Sequence, residues 1–490
     1  MDIRNRLYRA EQVRELDRLA IDEHGLAGYE LMQRAGSAAF ATLRARWPEA
    51  RKLTVCCGGG NNGGDGYVIA RLARQAGLMV QLIALKNPGE LSGDAATAAA
   101  DWEGAGGTLA DADEALAGEL IVDALLGTGL DRAPAGSYAA LIERINDGGK
   151  PVLAVDVPSG FDADTGMPLA PAVRADLTVT FIGNKRGLHT GQAGRWCGER
   201  LYFDLATPEA IHEAVPVDAW LLDASKLAAW LPPRTPDTHK GDLGHVLVIG
   251  GDAGMAGAPV LAGRAALRTG SGLVSLATRA DHAGLALAAQ PELMVHGVET
   301  LEALDGLVDG ADGLALGPGL GRSDWSRAIW RRALGAGRPL VLDADGLNLL
   351  AAADQPGPLP PAILTPHPGE AARLLACSVA DVQSDRFAAV RALAERFDAV
   401  TVLKGHGTLI AEPDGRVQVC PYGNPAMASA GMGDALTGII ASLLGQGFGP
   451  FDAACCGVLV HALAGDAAAV GRRQILAGDL IDRLADILPA

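Results

Sequence analysis

With 490 residues, 49% hydrophobic but only 4% aromatic, the chain is long enough for two or three domains with cores built from Ala, Val, Leu and Ile. Its net charge of −17 is spread over both halves without a basic run, which excludes nucleic acid as the expected partner. The seven cysteines include two adjacent pairs, Cys56-Cys57 and Cys455-Cys456, and no Cys-x-x-Cys spacing, so they are expected as buried small hydrophobes and not as a disulfide framework or a zinc site.

The opening Met1-Asp2-Ile3-Arg4-Asn5-Arg6 has no apolar signal core, and no stretch reads as long and apolar enough to span a bilayer. The expectation is a soluble, cytoplasmic protein without a membrane partner. Residues 10–47 predict two amphipathic helices separated by Gly25 and Gly28, with Val13, Leu16 and Leu19 on one apolar stripe and Leu31, Ala35, Ala38 and Leu43 on the other. Strands are then predicted at 53–57, 79–85, 120–123, 152–157 and 177–182, with a helix over 66–76. A proline-rich break, Trp230-Leu231-Pro232-Pro233-Arg234-Thr235-Pro236, precedes a second series of strands at 245–249, 273–278, 313–316, 340–343, 362–365 and 400–403. Apolar helices at 434–444 and 451–470 follow. Alternation of this kind predicts an α/β chain of two three-layer α/β/α domains, residues 1–216 and 217–490, each with a parallel sheet.

The first strand runs into Gly58-Gly59-Gly60-Asn61-Asn62-Gly63-Gly64-Asp65-Gly66. A strand, a glycine-rich turn and a helix start together present free N–H groups and a dipole to an anion. Gly58, Gly60 and Gly63 match the dinucleotide fingerprint, but the next strand ends in Lys86 where a ribose-binding acid is expected, which disfavours a standard dehydrogenase. Asn61, Asn62 and Asp65 supply more polar groups than a turn needs. Asp123 at one strand end precedes Gly127-Thr128-Gly129, and Asp156 at another precedes Ser159-Gly160. Loops at the carboxyl ends of a doubly wound sheet converge. Oxygens of Asn62, Asp123 and Ser159 suit a hard cation; the alternative is that each is a loop cap.

In the second half, Gly250-Gly251-Asp252-Ala253-Gly254, Gly317-Pro318-Gly319-Leu320-Gly321 and Thr365-Pro366-His367-Pro368-Gly369-Glu370 each follow a strand. Lys404-Gly405-His406-Gly407-Thr408 suits a phosphate, with a hairpin turn as the alternative. Ser429-Ala430-Gly431-Met432-Gly433-Asp434 opens an apolar helix. Its N–H groups can stabilise a transferring phosphoryl group while Asp434 takes a proton from an attacking hydroxyl. The bland alternatives are helix caps at His367 and Asp434. No Walker A sequence occurs.

Taken together, the segments around Asn61–Asp65, Asp123, Asp156 and Gly183-Asn184-Lys185-Arg186-Gly187-Leu188 resemble the NAD(P)H-hydrate epimerase domain, a Rossmann-like fold, over residues 10–213. The Gly433-Asp434 pair resembles the ribokinase-like superfamily. With Gly241-Asp242-Leu243-Gly244-His245 and Gly423-Asn424-Pro425-Ala426-Met427, residues 224–488 resemble the ADP-dependent NAD(P)H-hydrate dehydratases; Ala426 and Ser429 are small departures from the usual glycine-rich run. The resemblance implies that Asn61, Asn62, Gly63, Gly64, Asp65, Gly127, Thr128, Gly129, Leu130, Asp131, Arg132, Ala133 and Asp156 meet the hydrated nucleotide in the first domain, with Asp156 catalytic. It implies potassium at Asn62, Asp123 and Ser159. In the second domain it implies Ala258, Gly319, His367 and Asp434 at the hydrate, with Asp434 as base, and Lys404, Gly405, His406, Gly407, Thr408 and Gly433 at the adenine nucleotide. ADP with magnesium is the implied co-substrate, and a homo-oligomer is expected. Two other readings stay open at this point: a ribokinase-like kinase fused to a nucleotide-binding domain, and a non-catalytic nucleotide sensor.

Overall fold

Parallel strands covered on both faces carry near-continuous apolar runs, and Leu120–Ala124, Val152–Val155 and Leu177–Phe181 are buried at every position. The computed structural model describes residues 2–130, 132–353 and 357–489. It divides into two units, Met1–Trp220 and Leu221–Ala490.

The strands of the first unit are β1 (Arg6–Tyr8), β2 (Lys52–Cys57), β3 (Met79–Ala84), β4 (Leu109–Ala110), β5 (Leu120–Ala124), β6 (Val152–Val155), β7 (Leu177–Phe181), β8 (Asn184–Lys185), β9 (Glu199–Phe203) and β10 (Ala219–Leu221). Seven of them form a wholly parallel sheet in the order β4-β3-β2-β5-β6-β7-β9. Successive residues point to opposite faces. Leu53, Val55 and Cys57 therefore join the core under helices Gly28–Arg46 and Asn61–Gln75, while Cys56 and Ile121 join the core with Leu141, Ile142 and Ile145 on the other face. Trp220 and Ala219 pair with Arg6 and Leu7, which ties the chain to the first unit as far as Trp220.

The second unit contains β11 (His245–Ile249), β12 (Leu273–Thr278), β13 (Met294–Gly297), β14 (Gly313–Leu316), β15 (Leu340–Leu342), β16 (Ala362–Leu364), β17 (Val400–Leu403), β18 (Thr408–Ala411) and β19 (Val417–Cys420). Their order is β13-β12-β11-β14-β15-β16-β17-β18-β19, parallel up to β17 and antiparallel after it. The small-residue stripes seat helices on each other as well as on the sheet. A Cβ on Gly438 would come 2.0 Å from the Ala262 carbonyl, and one on Gly445 would meet Val246 at 2.9 Å.

Four differences from the sequence reading have physical causes. The helix expected at 66–76 begins at Asn61, because Gly63 and Gly64 are needed for packing: a Cβ on Gly63 would lie 2.1 Å from the Gly58 carbonyl, and one on Gly64 2.5 Å from Met32. The edge strands β9 and β13 are half exposed and so lack the continuous apolar run that marks the others. Pro450–Ala469 is, by length and composition, apolar enough to cross a membrane, contrary to expectation; most of it is buried in the core, which accounts for its apolarity. Cys377 is exposed, while the other six cysteines are buried as expected.

Candidate active sites

In both sheets the strand order reverses once, between β2 and β5 and between β11 and β14. Connections on either side of such a switch leave toward opposite faces and open a crevice at the carboxyl ends of the strands. In the first unit the two loops meet so closely that a Cβ on Gly58 would lie 1.8 Å from the Leu125 carbonyl. Beside them is a cleft of about 600 Å³.

That cleft brings together Asn61, Asn62, Asp65, Gly127, Thr128, Gly129, Leu130 and Asp156. Gly63 and Gly64 lie outside its lining, buried in helix packing, and Arg132 and Ala133 are also absent from it; Asp131 lies outside the described residues. Asp156 sits just past β6 with φ of +68°, a left-handed conformation that an ordinary side chain adopts at a cost and that marks sites where geometry matters. Its Oδ1 accepts hydrogen bonds from the buried ammonium of Lys185 and, at 3.3 Å, from the Thr180 hydroxyl. Lys185 also donates to the Phe181 carbonyl at 2.9 Å. Burial, reinforced by the charges of Asp156 and Asp17, pushes the Asp65 carboxyl well above the ordinary range. Burial likewise raises Asp17 to about 6, against the opposing pull of Lys185. The cleft therefore joins an ion-paired carboxylate to carboxyls that burial makes easier to protonate, a pairing suited to proton transfer.

Asp17, Lys185 and Arg14 are functional candidates that the sequence reading missed. One signal for Asp17 was available: Val13, Asp17 and Ile21 all line the cleft at helical spacing, so a carboxylate interrupts an apolar stripe.

The three expected cation ligands are grouped around the β5 connection. Asp123, fully buried, accepts hydrogen bonds from the Ser159 hydroxyl at 2.6 Å and amide at 2.8 Å, and from the Leu125 amide at 3.2 Å. Leu126 donates to Ser159 Oγ at 2.8 Å. Asn62 abuts the next residue, for a Cβ on Gly127 would lie 3.3 Å from its Cγ. Both polar atoms of the Asn62 amide are buried with no hydrogen-bond partner. An orphaned buried amide oxygen at the loop that the Ser159 hydroxyl and Asp123 carboxylate pin is, by its chemistry, the kind of donor a hard monovalent cation takes.

In the second unit the β11 and β14 loops interlock: Gly251 donates to the Pro318 carbonyl at 3.1 Å and Asp252 to the Gly319 carbonyl at 2.8 Å. Gly319, at φ of +57°, faces Ala258, so these two expected substrate contacts are neighbours. A charged group lies at the next strand ends. Lys404 Nζ donates to Asp343 Oδ1 at 2.8 Å and lies 3.9 Å from Glu370, while Thr437 donates to Asp343 Oδ2 at 2.8 Å. Burial would raise the Asp343 carboxyl, but Lys404 and the hydrogen bonds outweigh it and hold it below its ordinary value.

Asp434 occupies the first turn of helix Met432–Gly445 without capping it; the N-cap position is Gly431, at φ of +87°. Among the described residues no donor reaches its carboxylate. Burial first, then the Asp343 charge, raises Asp434 to about 7 against the opposing pull of Lys404. Gly433 allows the lysine to approach the helix start, since a Cβ there would come 3.3 Å from Lys404 Nζ. Glu370 is likewise raised to about 7, chiefly by burial.

His367 does cap its helix, Pro368–Leu375: its Nδ1 accepts the Gly369 N–H at 2.9 Å, which assigns the ring proton to Nε2. Burial, with the charge of Lys404, lowers its pKa. Residues 404–408 are the turn between antiparallel β17 and β18, with Thr408 donating to the Gly405 carbonyl at 2.9 Å. Under this turn, buried Arg386 donates to the carbonyls of Leu403 at 3.1 Å and Lys404 at 3.2 Å. Asp343, Thr437 and Arg386 were not singled out from sequence; an acid at a strand end was the one signal present for Asp343.

Comparison with known proteins agrees with both halves. Residues 246–490 match the family model described as NAD(P)H-hydrate dehydratase, and residues 28–187 match that described as YjeF-related protein N-terminus. A curated relative, the bifunctional NAD(P)H-hydrate repair enzyme Nnr of Coxiella burnetii, is 49% identical over 98% of each chain. The enzyme of the same name from Escherichia coli is 44% identical over all of this chain and 95% of its own. The crystal structure of a ribokinase-like superfamily protein from Enterococcus faecalis is 28% identical, with a TM-score of 0.51 over 55% of this chain and 94% of its own. The chain belongs to the family of bifunctional NAD(P)H-hydrate repair enzymes, with an epimerase unit followed by a ribokinase-like dehydratase unit.

Proposed function

We propose that the two clefts act on one damaged cofactor in sequence, and the observation that carries this is the pairing of two unlike acid–base sites on one chain. NAD(P)H hydrate bears a hydroxyl at C6 of the nicotinamide ring. In the first unit the ring nitrogen expels that hydroxyl as water and water returns from the other face, which interconverts the R and S forms. Asp65, whose carboxyl burial raises well above the ordinary range, is placed to supply the leaving proton with Asp17 beside it in the cleft, and Asp156 stabilises the cationic ring and manages the proton of the returning water. Asn62, Asp123 and Ser159 would hold potassium, whose charge would anchor the β5 loop against the nucleotide.

In the second unit Asp434 takes the proton of the S-form hydroxyl as its oxygen attacks the terminal phosphorus of ADP, and AMP leaves. Phosphate then departs from C6 with loss of the C5 proton, which restores the reduced ring. A base with a pKa near 7 is matched to such a step. Backbone N–H groups around Gly431 and Gly433, with Lys404 alongside, face the transferring phosphoryl group, and the magnesium nucleotide lies on the 404–408 turn. Ala258 and Gly319, which adjoin each other, would meet the hydrate together with His367.

The deciding experiment incubates mixed NADPH-hydrate epimers with the protein, potassium and magnesium ADP while the absorbance of reduced nicotinamide is followed. Recovery of both epimers with equimolar phosphate supports the proposal; a stable phosphorylated product points instead to a kinase.

A further inference from the structure

We propose that Lys86 forms a subsite for the 2′-phosphate of NADPH hydrate, so that the epimerase unit favours the phosphorylated substrate over NADH hydrate. The inference rests on the reading of the first cleft as the site of the hydrated dinucleotide. In a doubly wound sheet of this order, the diphosphate lies at the helix start after the first strand and the adenosine ribose at the end of the second. Those strands here are β2 and β3. An acid in the second position holds the ribose hydroxyls of NAD, whereas a cation accommodates the extra phosphate of NADP.

Just past Ala84, the end of β3, this chain carries Lys86. Three observations direct it at a ligand. Lys86 lines the same cleft as Gly60, Asn61 and Asp156. Its stem crosses Gly59 so closely that a Cβ there would lie 2.6 Å from Lys86 Cδ, so the glycine makes room for the lysine. Among the described residues no carboxylate pairs with its ammonium. The carboxylate of Asp94, also in the cleft, is turned instead toward Gly28, where a Cβ would lie 2.3 Å from Oδ2. A lysine at the edge of a nucleotide cleft acts as a point charge for phosphate.

The test uses the full-length chain without ADP, so that only epimerisation proceeds. The R forms of NADPH hydrate and NADH hydrate are supplied separately, and appearance of the S forms is followed by chromatography above the spontaneous rate. The wild type is expected to show a kcat/KM about tenfold higher for NADPH hydrate, the scale of one charge-assisted phosphate contact. Lys86→Ala is expected to remove that preference through KM, and Lys86→Glu to reverse it by repulsion. The circular-dichroism melting curve of each variant, compared with that of the wild type, reports that the first unit is folded. Equal efficiency of the wild type on both substrates, or an equal loss on both in Lys86→Ala, overturns the subsite while leaving the epimerase reading intact. Epimerisation of neither substrate by the wild type overturns that reading, and the subsite falls with it.

Discussion

The ammonium of Lys404 donates a 2.8 Å hydrogen bond to Oδ1 of Asp343, at the edge of the helix start that carries Asp434. The pair divides three neighbouring carboxyls into two kinds. Asp343 is held ionised by direct contact with the lysine, whereas Asp434 and Glu370, farther from compensation, are raised to about 7. A site that keeps one carboxylate fixed and lets others titrate near neutrality has separated a structural charge from a working one.

Asp434→Asn is expected to fold and to lose about 10²–10⁴-fold in dehydration rate, as when a positioned base is removed, while epimerisation persists. Asp434 donates and accepts no capping bond, so its loss leaves the helix start intact. Turnover within a few-fold of wild type, measured as phosphate release from S-NADPH hydrate and ADP, would place the base elsewhere.

The same carboxyl gives a stability prediction of definite sign. Its pKa in the folded chain, about 7, lies above the ordinary 3.8, so the stabilisation it contributes is complete below pH 4 and is lost as pH rises through 7. Wild type should therefore lose stability over that window relative to Asp434→Asn. Melting temperatures of the two proteins at pH 4, 6 and 8 should diverge in favour of the variant; parallel curves would mean that Asp434 is not buried enough to be perturbed.

Asp156 calls for two substitutions, because its backbone and its charge both matter. Asn tolerates the left-handed region better than Ala, so Asp156→Asn should keep the turn at φ of +68° while removing the charge that Lys185 faces. Epimerisation should fall by about 10²–10⁴-fold in both variants, with dehydration of the S form unchanged, and Asp156→Ala should melt lower than Asp156→Asn by the added backbone strain. If only Asp156→Ala loses activity, the residue shapes the loop and does no proton chemistry.

Much of this architecture was legible in the sequence because it depends on local pattern. Apolar runs located the longer interior parallel strands, but not the short β1, β4, β8 and β10, the half-exposed β9 and β13, or the antiparallel β18 and β19, and glycine clusters marked the loops at the switch points. The roles of individual glycines were not legible. Gly63 matches the dinucleotide fingerprint by spacing, and both it and Gly64 are also required for close packing against Gly58 and Met32, which only the three-dimensional arrangement reveals. Asp17, Lys185 and Asp343 were missed for a related reason: each gains its significance from a partner distant in sequence, as Lys404 lies 61 positions from Asp343. His367 was ambiguous from sequence and stays dual in the fold, a helix cap through Nδ1 that leaves Nε2–H facing Glu370.

Separability follows from the division after Trp220. Residues 221–490 expressed alone should fold and repair only the S epimer, leaving R to slow spontaneous conversion, as read from biphasic recovery of reduced nicotinamide. An insoluble fragment, or equally fast clearance of both forms, would contradict a division of labour between the units.

The cation prediction gains a cleaner variant from the structure than charge alone would choose. Asp123 accepts three hydrogen bonds from Ser159 and Leu125 in a fully buried position, so Asp123→Ala should cost about 1–3 kcal/mol per donor left unsatisfied, and its effect on activity would be confounded by instability. Asn62 breaks no hydrogen bond when truncated, because its amide has none. Asn62→Ala should therefore melt near wild type yet need several-fold more potassium for half-maximal epimerisation, with dehydration by the second unit unaffected. Replacing potassium by the much bulkier tetramethylammonium should slow wild-type epimerisation in the same way. If wild-type epimerisation shows no dependence on potassium, the orphaned amide answers to the nucleotide itself, and Asn62→Ala should then raise KM for the hydrate instead.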